Sequence, residues 1–392
     1  MLLQDQEQWE IQNLEIDGGS AKPDEVVGGI HVQAVKSDKV LNHIVIRNCV
    51  VKNNLGSVKF YESCAIWVGI PFWNDSIGFK TSFNDVLIEN NKVYCSDRNG
   101  ILVWTTAGSG PNNQFMQGLI PSKNVVIRGN QLEDIGGDAI LVLGSVGALV
   151  EKNVVRRCCL KTGNPIYGTD YNPSSAAIWL HHCENSIMQY NSVYDCDKQE
   201  KNNDGMAFDF DFNCNNNILQ YNYSCNNEGG FLLIMNTATS NKVRYNISEN
   251  DRGHVLFCVG NKSEMNTIYN NTFYLNSGSS YIVPNAWFIN NIFMADKDAS
   301  MSVQNPELGV FENNCYAGNW NAMPTDRYAV KANPLFVKPG MGSDSEESLK
   351  GYTLDAGSLC IGAGQVVEDN GGIDILGNNV RQGVKPTIGA IQ

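Results

Sequence analysis

Five stretches decide the fold: VVIRGNQL (125–132), IMQYNSV (187–193), ILQYNYS (218–224), TIYNNTF (267–273) and WFINNIF (287–293). Each fits Φ-x-x-Asn-x-Φ, where Φ is apolar. The pattern extends through Asn48, Asn91, Asn130, Asn153, Asn191, Asn222, Asn246, Asn271, Asn291 and Asn314, 20 to 25 residues apart where no insertion intervenes. A period of that length belongs to solenoids. Within each unit, short β-branched and apolar runs of period two are punctuated by Asn, Gly and Asp, and no stretch keeps a helical period. A leucine-rich repeat would need a Leu framework and a helical segment in every unit, which this chain lacks. The remaining architecture is all-β: a right-handed parallel β-helix whose coils stack at the ~4.8 Å strand spacing. The repeated Asn is expected to take a left-handed conformation at a bend and to bond through its amide to the coils above and below.

The 392 residues, 42% hydrophobic and 18% charged, are long for one globular core but ordinary for a solenoid that grows by adding coils. A net charge of −13 disfavours nucleic acid and makes a neutral or lightly charged partner the easier one. No apolar run approaches the ~18 residues that cross a membrane, and MLLQDQEQWE lacks a signal-peptide core. The expectation is a secreted or periplasmic protein whose export signal lies outside this chain. The twelve cysteines lie scattered through apolar strand patterns without a C-x-x-C pair, which reads as buried free thiols rather than a disulfide framework or zinc site. Residues 1–352 read as coils with inserted loops, opening almost directly on a strand where a β-helix normally carries a covering segment. Residues 353–392, which leave the repeat, read as closing strands of the same domain.

A second strand of the repeat can be laid in register: AIWVG (65–69), GILVW (100–104), AILVL (139–143), AIWLH (177–181), AFDFD (207–211) and GFLLI (230–234). Its second and fourth positions are apolar throughout and point into the coil; the third and fifth point outward. The outward rows are Trp67, Leu102, Leu141, Trp179, Asp209, Leu232 and Gly69, Trp104, Leu143, His181, Asp211, Ile234, which sets aromatics beside carboxylates. Insertions at 70–82, 106–121 and 160–175 flank this face and predict walls around a groove.

Asp209 and Asp211 should project from one strand roughly 6.5 to 7 Å apart. Asp204 falls in the turn before them, and Glu228, one coil on, nearly above Asp204. Carboxylates about 5 to 9 Å apart match the two geometries of glycoside hydrolysis, and crowding splits their pKa values into an acid and a base or nucleophile. Glu228 reads as general acid, with Asp209 or Asp211 as partner. The same oxygens also fit a solvated ladder or a calcium site, calcium being the one candidate ion and no organic cofactor being expected. His181, in line with Asp211, is placed to orient it or bind a sugar hydroxyl. Trp179, Trp104 and Trp67, with Trp73 and Tyr171 as weaker candidates, offer rings for stacking on a sugar. His182 is expected inward or in the turn and is kept as a substrate-binding candidate; His254 has an ambiguous register.

WEIQNLEI, LNHIVIRNC, DGMAFDFD…ILQYNYSCNNEGGFLL and the terminal IGAIQ together resemble the right-handed parallel β-helix carbohydrate-active enzymes of bacteria, nearest the glycoside hydrolases acting on fucosides or xylosides. The resemblance implies an acidic pair on the exposed face of adjacent coils, here among Asp204, Asp209, Asp211 and Glu228, and a polysaccharide or oligosaccharide substrate. Polysaccharide lyases share the shape but need a Lys, Arg, His or Tyr base and calcium or another cation to neutralise a uronate; Arg156, Arg157 and Lys161 are the nearest cations by sequence. A non-catalytic glycan-binding adhesin is the third reading.

Overall fold

The computed structural model describes residues 1–22, 25–36, 38–71, 81–105, 120–160, 174–198, 204–260 and 266–392. The expected insertions at 70–82, 106–121 and 160–175 lie almost wholly outside those residues, as do Trp73, Tyr171 and Lys161.

The chain winds into coils of three short strands, and every long ladder between coils is parallel. The described strands make sheets of twelve, twelve and eleven. One coil shows the unit: Met206–Phe210 in the first sheet, Ile218–Gln220 in the second and Tyr223–Cys225 in the third. Such buried parallel strands are rich in Val, Ile and Phe because their inner faces meet only one another. In the first sheet Ile66, Val68, Ile101, Val103, Ile140, Val142, Ile178, Leu180, Phe208 and Phe210 are fully buried in one continuous core.

The asparagines form a ladder at the bend between the second and third sheets. Asn91, Asn130, Asn153, Asn191, Asn222, Asn246, Asn271, Asn291 and Asn314 are buried. Asn130 shows the pattern, donating from Nδ2 to Ile88 O and Asn153 Oδ1, both at 2.9 Å, while its Oδ1 accepts from Asn91 N at 2.9 Å. The left-handed residue is the one before each ladder Asn: Asn90, Gly129, Lys152, Tyr190, Tyr221 and Tyr245 carry the positive φ. Asn48 is such a left-handed residue, and Cys49 holds the ladder position beside Asn91. The amide must point inward to reach both neighbouring coils, and the reversal that aims it is made one residue earlier.

One strand register differs from the sequence alignment. Met206 pairs with Gly230 and Asp209 with Leu233, so Leu232 and Ile234 point inward and Leu233 outward. Phe231 is buried as well, its ring edge-on to Phe208 and Phe273 at 5.5 and 5.6 Å. Gly230 makes this passable: its φ of +122° is closed to side chains, and a Cβ there would meet His254 O at 1.7 Å.

The coils end with Trp320–Ala322. The segment 323–392 adds no ladder to the stack; its ordered pieces are a short helix at Glu346–Lys350 and isolated bridges. It runs back along the flank of the coils. Asp344 accepts from Ser192 at 2.5 Å, Tyr352 donates to Glu249 at 2.8 Å, and Asp369 O accepts from Arg244 at 2.8 Å. All twelve cysteines are free thiols, eleven of them buried.

Candidate active site

The outward face of the first sheet carries the cleft. Strand pairing places His31, Trp67, Leu102, Leu141, Trp179, Asp209 and Leu233 in one row. The upper part of that row is closed. Trp67 is fully buried against His31 at 5.5 Å, and Trp104 is 6% exposed beside Tyr61. Neither ring is open to a sugar, because both join Cys64, Leu102, Leu141 and Leu143 in an apolar layer on the outside of the sheet.

The face opens where the row turns acidic. Ser174, Ser175, Ala176, Trp179, Asp204, Met206, Asp209, Asp211, Phe212, Leu233 and Met235 line a cleft of about 480 Å³ counted to its mouth. Three of the four acids read from the sequence meet there. Glu228 does not line the cleft: it is exposed, and its charge acts on Asp197. The one-residue register difference puts Gly229 on Gly205, where a Cβ would lie 2.3 Å from the Gly205 carbonyl carbon, and Glu228 falls at the solvent side of that turn.

Burial sets the chemistry of the three aspartates. Asp209 is 5% exposed, and its Oδ1 has no hydrogen-bond partner among the described residues. Desolvation first, then the charges of Asp211, Asp204 and Asp138, raise its pKa well above the carboxylate range. Burial pushes Asp211 up to about 7, against the pull of the Phe212 N–H that its Oδ1 accepts at 2.7 Å. Asp204 is raised by burial and drawn back by its bond with Ser174. The cleft therefore holds an acid deep inside whose protonated form is favoured, a second poised at about 7, and a third nearer solvent.

His181 and His182 stand beside Asp211. His181 Nε2 lies 3.7 Å from Asp211 Oδ2, just beyond hydrogen-bond length, and burial lowers the histidine pKa to about 3. His182 does not enter the core; it sits at the bend with a φ of 52°, its pKa lowered by burial to about 4. His254 does not line the cleft and packs on Phe257 and Tyr281.

Behind the cleft wall lies a group the sequence reading missed. Arg98 and Asp138, 1% and fully buried, pair at 3.1 Å; Arg98 also donates to Ser175 at 3.1 Å, and Ala176 N donates to Asp138 at 3.3 Å. Both charged residues precede strands of the first sheet in successive coils, one register position apart, so a charged residue just before an apolar strand was the only signal. They hold the wall that carries Ser175, Ala176 and Trp179. No cation lines the cleft among the described residues: Arg157 bonds Glu133 and Asp134, each at 2.7 Å, and Arg156 lies over the Tyr194 ring.

The model of a right handed beta helix region matches residues 77–280, and the chain belongs to that family. A curated relative, lacto-N-biosidase of Bifidobacterium longum subsp. longum, is 31% identical over 79% of this chain, and the chain spans 22% of that relative's length. The crystal structure of GH136 lacto-N-biosidase from Eubacterium ramulus has a TM-score of 0.55 at 22% identity, covering 84% of this chain and 51% of that one. XylC in complex with xylose gives 0.51 at 13% identity, with 92% and 66% covered. The two structures share the fold.

Proposed function

We propose that the chain is a glycoside hydrolase acting on an oligosaccharide in the Asp204–Asp209–Asp211 cleft. The carrying observation is that three carboxylates of graded burial converge with Trp179 in one cleft on the outer face of the coils. Asp211, poised at about 7, is the general acid that protonates the departing glycosidic oxygen. Asp204, nearer solvent and hydrogen-bonded to Ser174, is the carboxylate that acts as nucleophile or base. Asp209 lies deepest, where burial favours its protonated form as a donor to the sugar, and Trp179 supplies an apolar wall for the ring face. The likeness to a lacto-N-biosidase supports a glycosidase and makes lacto-N-biosides the first substrates to try.

The test is hydrolysis of a chromogenic lacto-N-bioside, beside a panel of other oligosaccharides, with and without a chelator. Asp204→Asn and Asp211→Asn should each lower kcat by roughly 10²- to 10⁴-fold with the fold intact. Asp209→Asn keeps a donor and should stay within about tenfold, the scale of one hydrogen bond. Chelation should leave the rate unchanged, since the acid, nucleophile and donor roles proposed for the three aspartates use no metal. A wild-type rate in Asp204→Asn or Asp211→Asn would overturn the assignment.

A further inference from the structure

A hydrogen-bond chain runs from Asn213 through His182 to His181, which faces Asp211. Asn213 Nδ2 lies 2.7 Å from His182 Nε2, and His182 Nδ1 lies 2.5 Å from His181 Nδ1. The two ring planes lie within 19° of parallel, with centroids 4.4 Å apart. His181 Nε2 then faces Asp211 Oδ2 at 3.7 Å. The residues come from two coils, since His181 and His182 end one turn of the first sheet and Asp211 and Asn213 the next.

A neutral imidazole has one donor and one acceptor nitrogen, so fixing one end fixes both. The Asn213 amide donates to His182 Nε2, which puts the His182 proton on Nδ1. That proton goes to His181 Nδ1, and the His181 proton is left on Nε2, directed at Asp211. We propose that Asn213 is a positioning residue, which through His182 sets the His181 tautomer and so presents an N–H to Asp211. The inference rests on Asp211 being the acid of the proposed hydrolase. Once Asp211 has given its proton to the leaving group it becomes a carboxylate, and the His181 N–H is the donor placed to receive that charge. A small rotation on substrate binding closes the remaining distance. The charged groups that bear on Asp211 are acids: Asp204 from the preceding turn and Asp138 from an earlier coil raise it, and it in turn raises Asp209 on its own strand, while the Phe212 N–H lowers it. The next coil presents the apolar Leu233 and Met235 to the cleft. The histidine thus joins the Phe212 N–H as a group that favours the ionised form against burial and the neighbouring acids.

Nitrogen-15 spectra of histidine-labelled protein at pH 8 read the tautomers directly, and the chain has only five histidines to assign. His182 should appear as the Nδ1–H form and His181 as the Nε2–H form. Asn213→Asp, an acceptor in place of a donor, should reverse both. Asn213→Gly retains the left-handed backbone, whose φ is 55°, and should leave mixed tautomers. In the hydrolysis assay Asn213→Gly should lower kcat by about tenfold with KM unchanged, the scale of one hydrogen bond, and should move the alkaline limb to higher pH. A wild-type His181 protonated on Nδ1, or tautomers unmoved in Asn213→Asp, would overturn the proposal whether or not the protein hydrolyses glycans. The expected tautomers in a protein that cleaves nothing would instead overturn the hydrolase reading.

Discussion

Asp211 and His181 are buried side by side and are perturbed in opposite senses, which makes the cleft visible in the stability of the whole chain. Burial raises Asp211 from 3.8 to about 7, so below 3.8 both folded and unfolded chains hold its proton. Between those values the folded chain alone keeps it, and stability is lost as pH rises until about 7. His181 falls from 6.5 to about 3, so its contribution is present above 6.5 and is lost as pH falls. The two partly offset one another in mildly acid solution. Asp211→Asn removes one side of that balance: its melting temperature relative to wild type should rise between pH 4 and pH 8. A difference that is flat with pH would mean that Asp211 ionises freely. At this scale the sequence exposed the Phe-flanked pair in AFDFD, because an acid at every second position of a strand shows in the letters. Arg98 and Asp138 escaped because neither forms a local pattern, and their pairing across coils exists only once the coils are stacked.

The coil is the next scale, and the asparagine ladder is what joins one coil to another away from the strands. Asn191 donates to Val150 O and Asn222 Oδ1 and accepts from both nitrogens of Asn153. Asn191→Ala would leave the buried Asn153 N–H groups without an acceptor, at about 1–3 kcal/mol for each unsatisfied group. The expected loss is on the order of 3 kcal/mol or more in urea denaturation. A loss under about 1 kcal/mol would show the ladder to be a consequence of the fold rather than a support for it. Periodicity revealed the ladder, yet not which residue of the bend turns left-handed. It also misplaced one strand by one position. Gly230, read as the first outward-inward step of GFLLI, pairs with Met206, and that step moved Glu228 out of the cleft and Leu233 into it.

At the scale of the molecule, the segment 323–392 straps the bend between the second and third sheets. Its anchor is Glu249, 2% exposed, which accepts from Tyr223 at 2.7 Å, from Tyr352 at 2.8 Å and from Gly342 N at 2.7 Å. Replacing it with Leu leaves three donors facing an apolar side chain, so Glu249→Leu should free the strap and hasten limited proteolysis within 323–352 while the coils remain folded. Unchanged cleavage there would assign the hold to the apolar contacts around Tyr274 and Phe336 instead.

The repeat, the inward rows up to AFDFD, the buried thiols and the choice of an acidic face were settled by the sequence, because a solenoid writes the same physical demand into every coil and the repetition makes it readable. Which acids share a cleft, which tryptophans are sealed under an apolar layer, and which amide sets the tautomers beside Asp211 were decided only by the tertiary structure. Those depend on how many residues each turn spends between strands and on contacts across coils, quantities that no single repeat contains.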